Sequence, residues 1–271
     1  MSADSIQTRV ALIEDVLPEI ADMLRDYQGR ALNISTKSNA MDLVTDADRE
    51  SESRLRRAIE KAFPKDDILG EEQGLEQRGA DPSRYCWSLD PLDGTINYAH
   101  GLPLYAISVG LLRGEEPVAG LVTMPGLGNT YRAIRGEGAT KDGKSVRVSE
   151  TKDLSRALVV TGFPYDRQVR LPDLLRGADA ILRHARGIRR TGSAAMDLCW
   201  VAEGRFDAHY EVSLNSWDVA AGSIIVTEAG GRLSDFSGRP HTPGMYQTVA
   251  SNGHIHDAVI QVLAPIAHMA R

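Results

Sequence analysis

The chain has 271 residues, with 31 Lys and Arg against 37 Asp and Glu, for a formal charge of −6. An apolar share of 42% beside 25% charged residues is that of a globular chain and excludes a disordered or membrane-embedded one. Net acidity removes the footprint of a general nucleic-acid binder, and it offers an anionic substrate no long-range attraction unless the sign is reversed locally.

In chain order, Ile6, Val10, Ile13, Leu17, Ile20 and Leu24 recur at alternating spacings of four and three, the pattern of an amphipathic helix. Pro18 is expected to bend or divide it. A second helix is predicted over 46–63, with Leu55, Ile59, Ala62 and Phe63 on one face and Pro64 as its stop. Short apolar runs follow at 68–69, 86–89, 105–112, 118–124 and 130–134, and Lys141-Asp142-Gly143-Lys144 reads as a hairpin turn. This middle of the chain is expected to form a largely antiparallel sheet. Beyond about residue 150, strands at 157–161 and 207–211 alternate with helices at 171–184, 193–203, 216–228 and 255–269. Gly204 and Ala229-Gly230-Gly231 supply helix stops. No repeat or low-complexity linker separates the halves, so 1–150 and 151–271 are expected to pack as one body.

Only two cysteines occur, Cys86 and Cys199, far apart and outside any C-x-x-C context. A disulfide framework or thiolate zinc site is not expected, and a reducing compartment is. The first 28 residues carry six acids and no basic start before an apolar run, unlike a signal peptide. No run approaches the ~18 apolar residues that span a bilayer. A soluble, cytoplasmic protein with no membrane partner is the expectation.

The densest chemical signal is Trp87-Ser88-Leu89-Asp90-Pro91-Leu92-Asp93-Gly94-Thr95-Ile96-Asn97. An apolar strand runs into Asp90, Pro91 turns the chain, and a second carboxylate follows at Asp93. Gly94 permits close backbone approach, and Thr95 puts a hydroxyl where a short helix can start. Two carboxylates beside free N–H groups make a place where hard cations and phosphate meet; an ordinary strand-ending turn has the same composition. Further acids stand in Ile68-Leu69-Gly70-Glu71-Glu72 and in Ser216-Trp217-Asp218, where Asp218 also reads as a first-turn acid facing the helix dipole. In Asp42-Leu43-Val44-Thr45-Asp46-Ala47-Asp48, Thr45 and Asp48 read as a capping box. If Glu71, Asp90, Asp93 and Asp218 converge, they cannot all stay ionised without compensating charge. No Cys or His stands at ligand spacing, so oxygen-loving cations, Mg²⁺ above all, are the expected partners. Two such ions about 4 Å apart activate a water and neutralise phosphoryl and leaving oxygens, with no covalent nucleophile needed.

Taken together, Lys37 with Asp42-Leu43-Val44-Thr45, Gly70-Glu71-Glu72, the run 90–97, Gly192-Ser193-Ala194-Ala195, Glu211 and Trp217-Asp218 through Gly222 resemble the inositol monophosphatase family of metal-dependent phosphatases, in order and over residues 37–222. The resemblance implies a layered αβαβα sandwich, an α/β fold of the inositol monophosphatase and fructose-1,6-bisphosphatase type. It implies two or three Mg²⁺ per subunit: Glu71, Asp90 and the Leu92 carbonyl on a first, Asp90, Asp93 and Asp218 on a second, and Glu71 sharing a third. Gly94, Thr95 and the turn at Gly192, Ser193 and Ala194 would receive phosphate and sugar, as would Asp93 and Asp218 from the metal side. Ala194 and Glu211 would contact polyol hydroxyls. Thr95, supported by Asp42, would position the attacking water with Glu71, and Lys37 would sit on a mobile loop. The implied reaction is hydrolysis of myo-inositol monophosphate by a homodimer. Histidinol phosphate, fructose 1,6-bisphosphate and 3′-phosphoadenosine 5′-phosphate are substrates of relatives, and some bacterial relatives are partners of the transcription machinery.

Other residues read more plainly. His100 is a polar loop histidine, Cys86 a small buried residue, and Trp87, Trp200 and Trp217 are core anchors. Arg183, Arg186, Arg189 and Arg190 read first as a solvated helix end, and second as receptors for another anionic group or a neighbouring subunit.

Overall fold

The first amphipathic pattern becomes α1 (Ile6–Gln28), whose buried face carries Val10, Ile13, Leu17, Ile20 and Leu24. Pro18 does not divide it. It lies on the solvent side, where the carbonyl left without a donor faces water, and the buried stripe continues on both sides. The computed structural model describes residues 5–28, 34–36, 43–77 and 84–270.

A short hairpin, β1 (Ile34–Thr36) and β2 (Leu43–Thr45), leads into α2 (Asp46–Ala62). The next strands are β3 (Asp67–Gly70), β4 (Gly74–Glu76) and β5 (Tyr85–Asp93). After the one-turn α3 (Thr95–Ala99) come β6 (Ala106–Arg113), β7 (Glu116–Met124), β8 (Asn129–Ile134), β9 (Gly138–Lys141) and β10 (Lys144–Ser145). Together β3 to β10 form an eight-stranded sheet in the order β10-β9-β8-β7-β6-β5-β3-β4, antiparallel except where β3 runs beside β5. The β9–β10 turn has both central residues, Asp142 and Gly143, at positive φ, as a two-residue hairpin requires.

The second sheet holds β11 (Leu158–Thr161), β12 (Gly187–Arg189), β13 (Ala208–Val212), β14 (Arg232–Ser234) and β15 (Gln247–Ser251) in the order β12-β11-β13-β15-β14. Between these strands lie α4 (Arg167–His184), α5 (Ala194–Ala202) and α6 (Ser216–Glu228), and α7 (His256–Leu263) follows. The last helix is shorter than its apolar pattern suggests, because the chain tightens into a 3₁₀ turn with Pro265 in its first residues.

Five layers result. Helices α1 and α2 cover one face of the large sheet, α5 and α6 fill the space between the sheets, and α4 and α7 cover the far face of the small sheet. Helix α6 approaches the large sheet closely because glycines face it there. Gly110 and Gly120 are register partners on β6 and β7, and a Cβ on either would stand 2.6 Å from Ala220 Cβ or Ala221 O of α6. That close seating brings the start of α6, with Asp218, over the end of β5. Among the described residues no helix is long and apolar enough to cross a membrane.

Candidate active site

The end of β5 does not stop at Asp90. The strand continues to Asp93, and its pairing with β6 slips from Asp90↔Ser108 to Asp93↔Ala106, so one extra residue is absorbed as a bulge. The bulge presents Asp90 and Asp93 near one another at the floor of a cleft of about 320 Å³. Glu71 joins from the turn after β3 and Asp218 from the first turn of α6; the same cleft is lined by Thr95, Gly192, Ser193, Ala194 and Glu211. The residues expected from sequence to share a site are thus brought to one cavity. Lys37 and Asp42 lie outside the described residues.

Each of the three aspartates has one oxygen held by its own chain. Asp90 Oδ1 accepts the Leu92 N–H at 3.0 Å. Asp93 Oδ2 accepts Ser193 Oγ–H and Ala195 N–H, both at 2.7 Å. Asp218 Oδ2 accepts the Asn215 N–H at 2.6 Å in a capping box that also fixes the helix start. This fixes the carboxylates while leaving Asp93 Oδ1 and Asp218 Oδ1 for another ligand.

The electrostatics point the same way. Burial, then the facing charge of Glu71, Asp93 and Asp218, pushes the Asp90 carboxyl well above its ordinary range. Burial followed by Glu71 and Asp93 does the same to Asp218. Burial raises Asp93 to about 7, although the hydrogen bonds from Ser193 and Ala195 pull it down. Among the described residues no three His, Cys, Asp or Glu side chains form a ready-made ion cage. The donor set nevertheless fits hard divalent cations: it is all oxygen, collectively over-charged, and pre-oriented.

Glycine makes the opposite wall. Gly94 precedes α3 with φ +94, and a Cβ there would meet Leu104 O at 2.8 Å. Gly192 has φ +96, and its Cβ would stand 2.9 Å from Asn97 Nδ2. Asn97 ties the two turns together, donating to Leu104 O at 2.7 Å and Thr191 O at 2.9 Å. Ser193 caps α5 by accepting the Met196 N–H.

Several participants escape a reading of sequence alone. The Thr95 hydroxyl lies 3.0 Å from Leu92 O and 3.2 Å from Asp48 Oδ1. Asp48 forms the expected capping box, its Oδ2 accepting Thr45 N–H at 2.8 Å and Thr45 Oγ–H at 2.6 Å, and in addition reaches the cleft through Thr95. Glu52, fully buried on α2, accepts Glu72 N–H at 2.8 Å and Gln73 N–H at 3.1 Å, holding the turn that carries Glu71. Arg56 pairs with Glu52 at 2.7 Å and donates to Gly74 O at 2.7 Å. Gly70 has no Cβ to spare here, since one would stand 2.3 Å from Glu52 Oε1. The signal in sequence was a Glu and an Arg on the same helical face as Leu55 and Ile59. Asp197 also lines the cleft; burial raises its carboxyl well above the usual range, and Thr191 Oγ–H donates to it at 2.5 Å.

Two expectations are corrected. Trp217 is not a core anchor but a half-buried wall of the cleft, placed there because it occupies the first turn of α6. The arginine cluster does not act as one helix end. Arg183 is exposed and paired with Asp179 on α4, whereas Arg190, beyond β12, lines the cleft.

In comparison with known proteins, the inositol monophosphatase family matches residues 6–268. The chain belongs to the inositol monophosphatase family. It is an α/β phosphatase of this fold, and the family is metal-dependent. An inositol-1-monophosphatase of Synechocystis sp. is 38% identical over 263 residues, covering 97% of this chain and 91% of the relative. A fructose-1,6-bisphosphatase/inositol-1-monophosphatase of Aquifex aeolicus is 40% identical, covering 85% and 84%. The Nus factor SuhB of Pseudomonas aeruginosa is 38% identical, covering 84% and 85%. The solved structure of inositol monophosphatase from Anabaena (Nostoc) sp. superposes with a TM-score of 0.85 at 35% identity, covering 96% of each chain.

Proposed function

We propose that this family member is a Mg²⁺-dependent phosphomonoesterase acting on myo-inositol monophosphate by direct attack of water. The observation that carries this reading is the gathering of Glu71, Asp90, Asp93 and Asp218 at one cleft opposite Gly94, Thr95 and Gly192. Glu71, Asp90 and Leu92 O are assigned to one ion, Asp90, Asp93 and Asp218 to a second, and Glu71 to any third. Bound Mg²⁺ supplies the positive charge that acidifies water and neutralises phosphoryl oxygens. Thr95, backed by Asp48, orients the attacking water; the N–H groups around Gly94 and the Gly192–Ser193–Ala194 turn receive the phosphate; Glu211 and Ala194 face the polyol. Water oxygen bonds to phosphorus, the P–O bond to the polyol breaks, and the leaving oxygen takes up a proton. Phosphate release across inositol 1-phosphate, histidinol phosphate, fructose 1,6-bisphosphate and 3′-phosphoadenosine 5′-phosphate, with and without Mg²⁺, tests this. Inositol 1-phosphate is expected to give the highest kcat/KM, and only with Mg²⁺; a different best substrate replaces the specificity, and release indifferent to Mg²⁺ overturns the mechanism.

A second reading, fructose 1,6-bisphosphate, is favoured by Arg190. Its guanidinium lines the cleft and would stand 2.8 Å from a Cβ on Gly192, where a second phosphate could meet it. Arg190→Gln then lowers kcat/KM for the bisphosphate more than for the monophosphate.

The same proposal includes a homodimer in the cytoplasm. Helix α4 exposes Leu171, Leu175 and Leu182 on one face, an apolar stripe that a second copy would cover, and both cysteines are free thiols. Light scattering that reads one 29.5 kDa chain would refute the dimer.

A further inference from the structure

Glu211 is held by two features behind it that the phosphatase reading leaves unused. Its Oε2 lies 3.2 Å from Nε2 of His209, two residues earlier on β13, and both side chains are buried. Its carboxylate also lies flat over Gly162, where a Cβ would stand 2.0 Å from Oε1 and 2.4 Å from Oε2. The register places Glu211 opposite Thr248 and His209 opposite Ala250, so the two side chains share one face of β13. Thr248 in turn meets His241 Nε2 at 3.0 Å. Because a carboxylate only accepts, the proton of this contact belongs to His209 Nε2. His209 Nδ1 is buried with no hydrogen-bond partner among the described residues. The imidazole therefore has one productive contact, and it is with Glu211.

We infer that His209 is a positioning residue for substrate selectivity: its Nε2–H and the bare backbone of Gly162 fix the Glu211 carboxylate, so that Oε1 is presented at the cleft as an acceptor for a substrate hydroxyl. Oε1 has no hydrogen-bond partner among the described residues, while Glu211 lines the cavity. A carboxylate free to rotate there would be pushed aside by the like charges of Asp93, Asp197 and Asp218, all of which feel it. The imidazole anchors it without bringing a side-chain ammonium or guanidinium that would cancel its pull on a hydroxyl. This rests on the reading of Glu211 as a polyol contact.

The test compares His209→Leu and His209→Gln with the wild type on two substrates, in saturating Mg²⁺. One is the hydroxyl-bearing sugar or polyol phosphate that the wild type hydrolyses best; the other is p-nitrophenyl phosphate, which has no such hydroxyl. His209→Leu is expected to raise KM for the polyol phosphate about tenfold relative to its effect on p-nitrophenyl phosphate, with kcat altered much less. His209→Gln, whose amide can donate to the same oxygen, restores most of that ratio. Parallel losses on both substrates, or no change in the ratio, would overturn the inference. If the leucine variant unfolds, the glutamine variant decides: a ratio as large as that expected for leucine would overturn it as well. A wild type that hydrolyses p-nitrophenyl phosphate but no polyol phosphate would instead sink the substrate reading, and this inference with it.

Discussion

Glu52 lies behind the cleft, yet it governs where Glu71 stands. Its two oxygens take the N–H groups of Glu72 and Gln73, and Arg56 holds it from the side at 2.7 Å. Glu52→Gln keeps the volume and one carbonyl acceptor but loses the charge that Arg56 balances. The expected result is a Mg²⁺ requirement raised about tenfold, with a smaller change in kcat at saturating metal. A titration of phosphate release against Mg²⁺ checks it, and an unchanged midpoint would show that the turn holds itself. Such residues were hard to read in sequence for a physical reason. A Glu and an Arg four apart on a helix look like a solvated pair, and only the arrival of the β3–β4 turn buries them. Asp48 hid differently: its capping box accounted fully for its presence, and nothing in the chain order announces that Oδ1 will meet Thr95. By contrast Asp90, Asp93 and Gly94 are legible because one short segment brings two carboxylates, a turn and a close backbone approach together.

Elements are joined by a few buried polar bolts. Arg9 on α1 meets Asp66 through Nε and Nη2, both at 2.7 Å, and Trp87 Nε1 donates to the same carboxylate at 3.0 Å. The guanidinium is stacked between Phe63 and Tyr85, 4.4 and 4.1 Å from their ring centres. Arg9→Ala leaves a buried carboxylate without its counter-charge, which costs about 3–5 kcal/mol. Urea unfolding should show that loss, whereas a change below 1 kcal/mol would mean that Trp87 alone satisfies Asp66. Element existence was mostly readable, since amphipathic stripes and alternating runs are set by burial on one face. The exceptions were three-residue strands such as β4, β12 and β14, too short to show a period. Pro18, expected to bend or divide α1, and Pro91, expected to turn the chain, both lie inside continuous elements, because the donor that proline removes matters little on a solvent face or at a bulge.

For the whole molecule, the puzzle of an acidic chain with an anionic substrate becomes a local matter, since seven of its acids, among them the four proposed metal ligands, line one cleft. Cations at that cleft relieve repulsion present only in the folded state, so Mg²⁺ is expected to raise Tm and chelation to lower it. A Tm independent of Mg²⁺ up to tens of millimolar would contradict this. Acid stability has a separate source. His256 is buried at the start of α7, with Nδ1 2.7 Å from Ser251 Oγ and Nε2 2.8 Å from Ser234 Oγ. Burial, then Arg232, pushes it from 6.5 down to about 4. The unfolded chain therefore binds the extra proton first, so this stabilisation is intact above about pH 6.5 and is lost as the pH falls towards 4. In His256→Gln the fall in Tm between pH 7 and pH 5 is expected to shrink; an equal fall would assign the acid sensitivity elsewhere.

The contact of α6 with Gly110 and Gly120 bears on how such a chain can diverge. On the outer helix α4, Val169 stands 85% exposed and can be exchanged freely over generations. On the strand side of that crossing Gly110 and Gly120 have no methyl to lose and no room to gain one, so single steps there are closed in both directions. Drift there has to proceed by coupled changes on strand and helix, and lineages that part company in loops and surfaces are expected to keep this nearly bare crossing as their common inheritance.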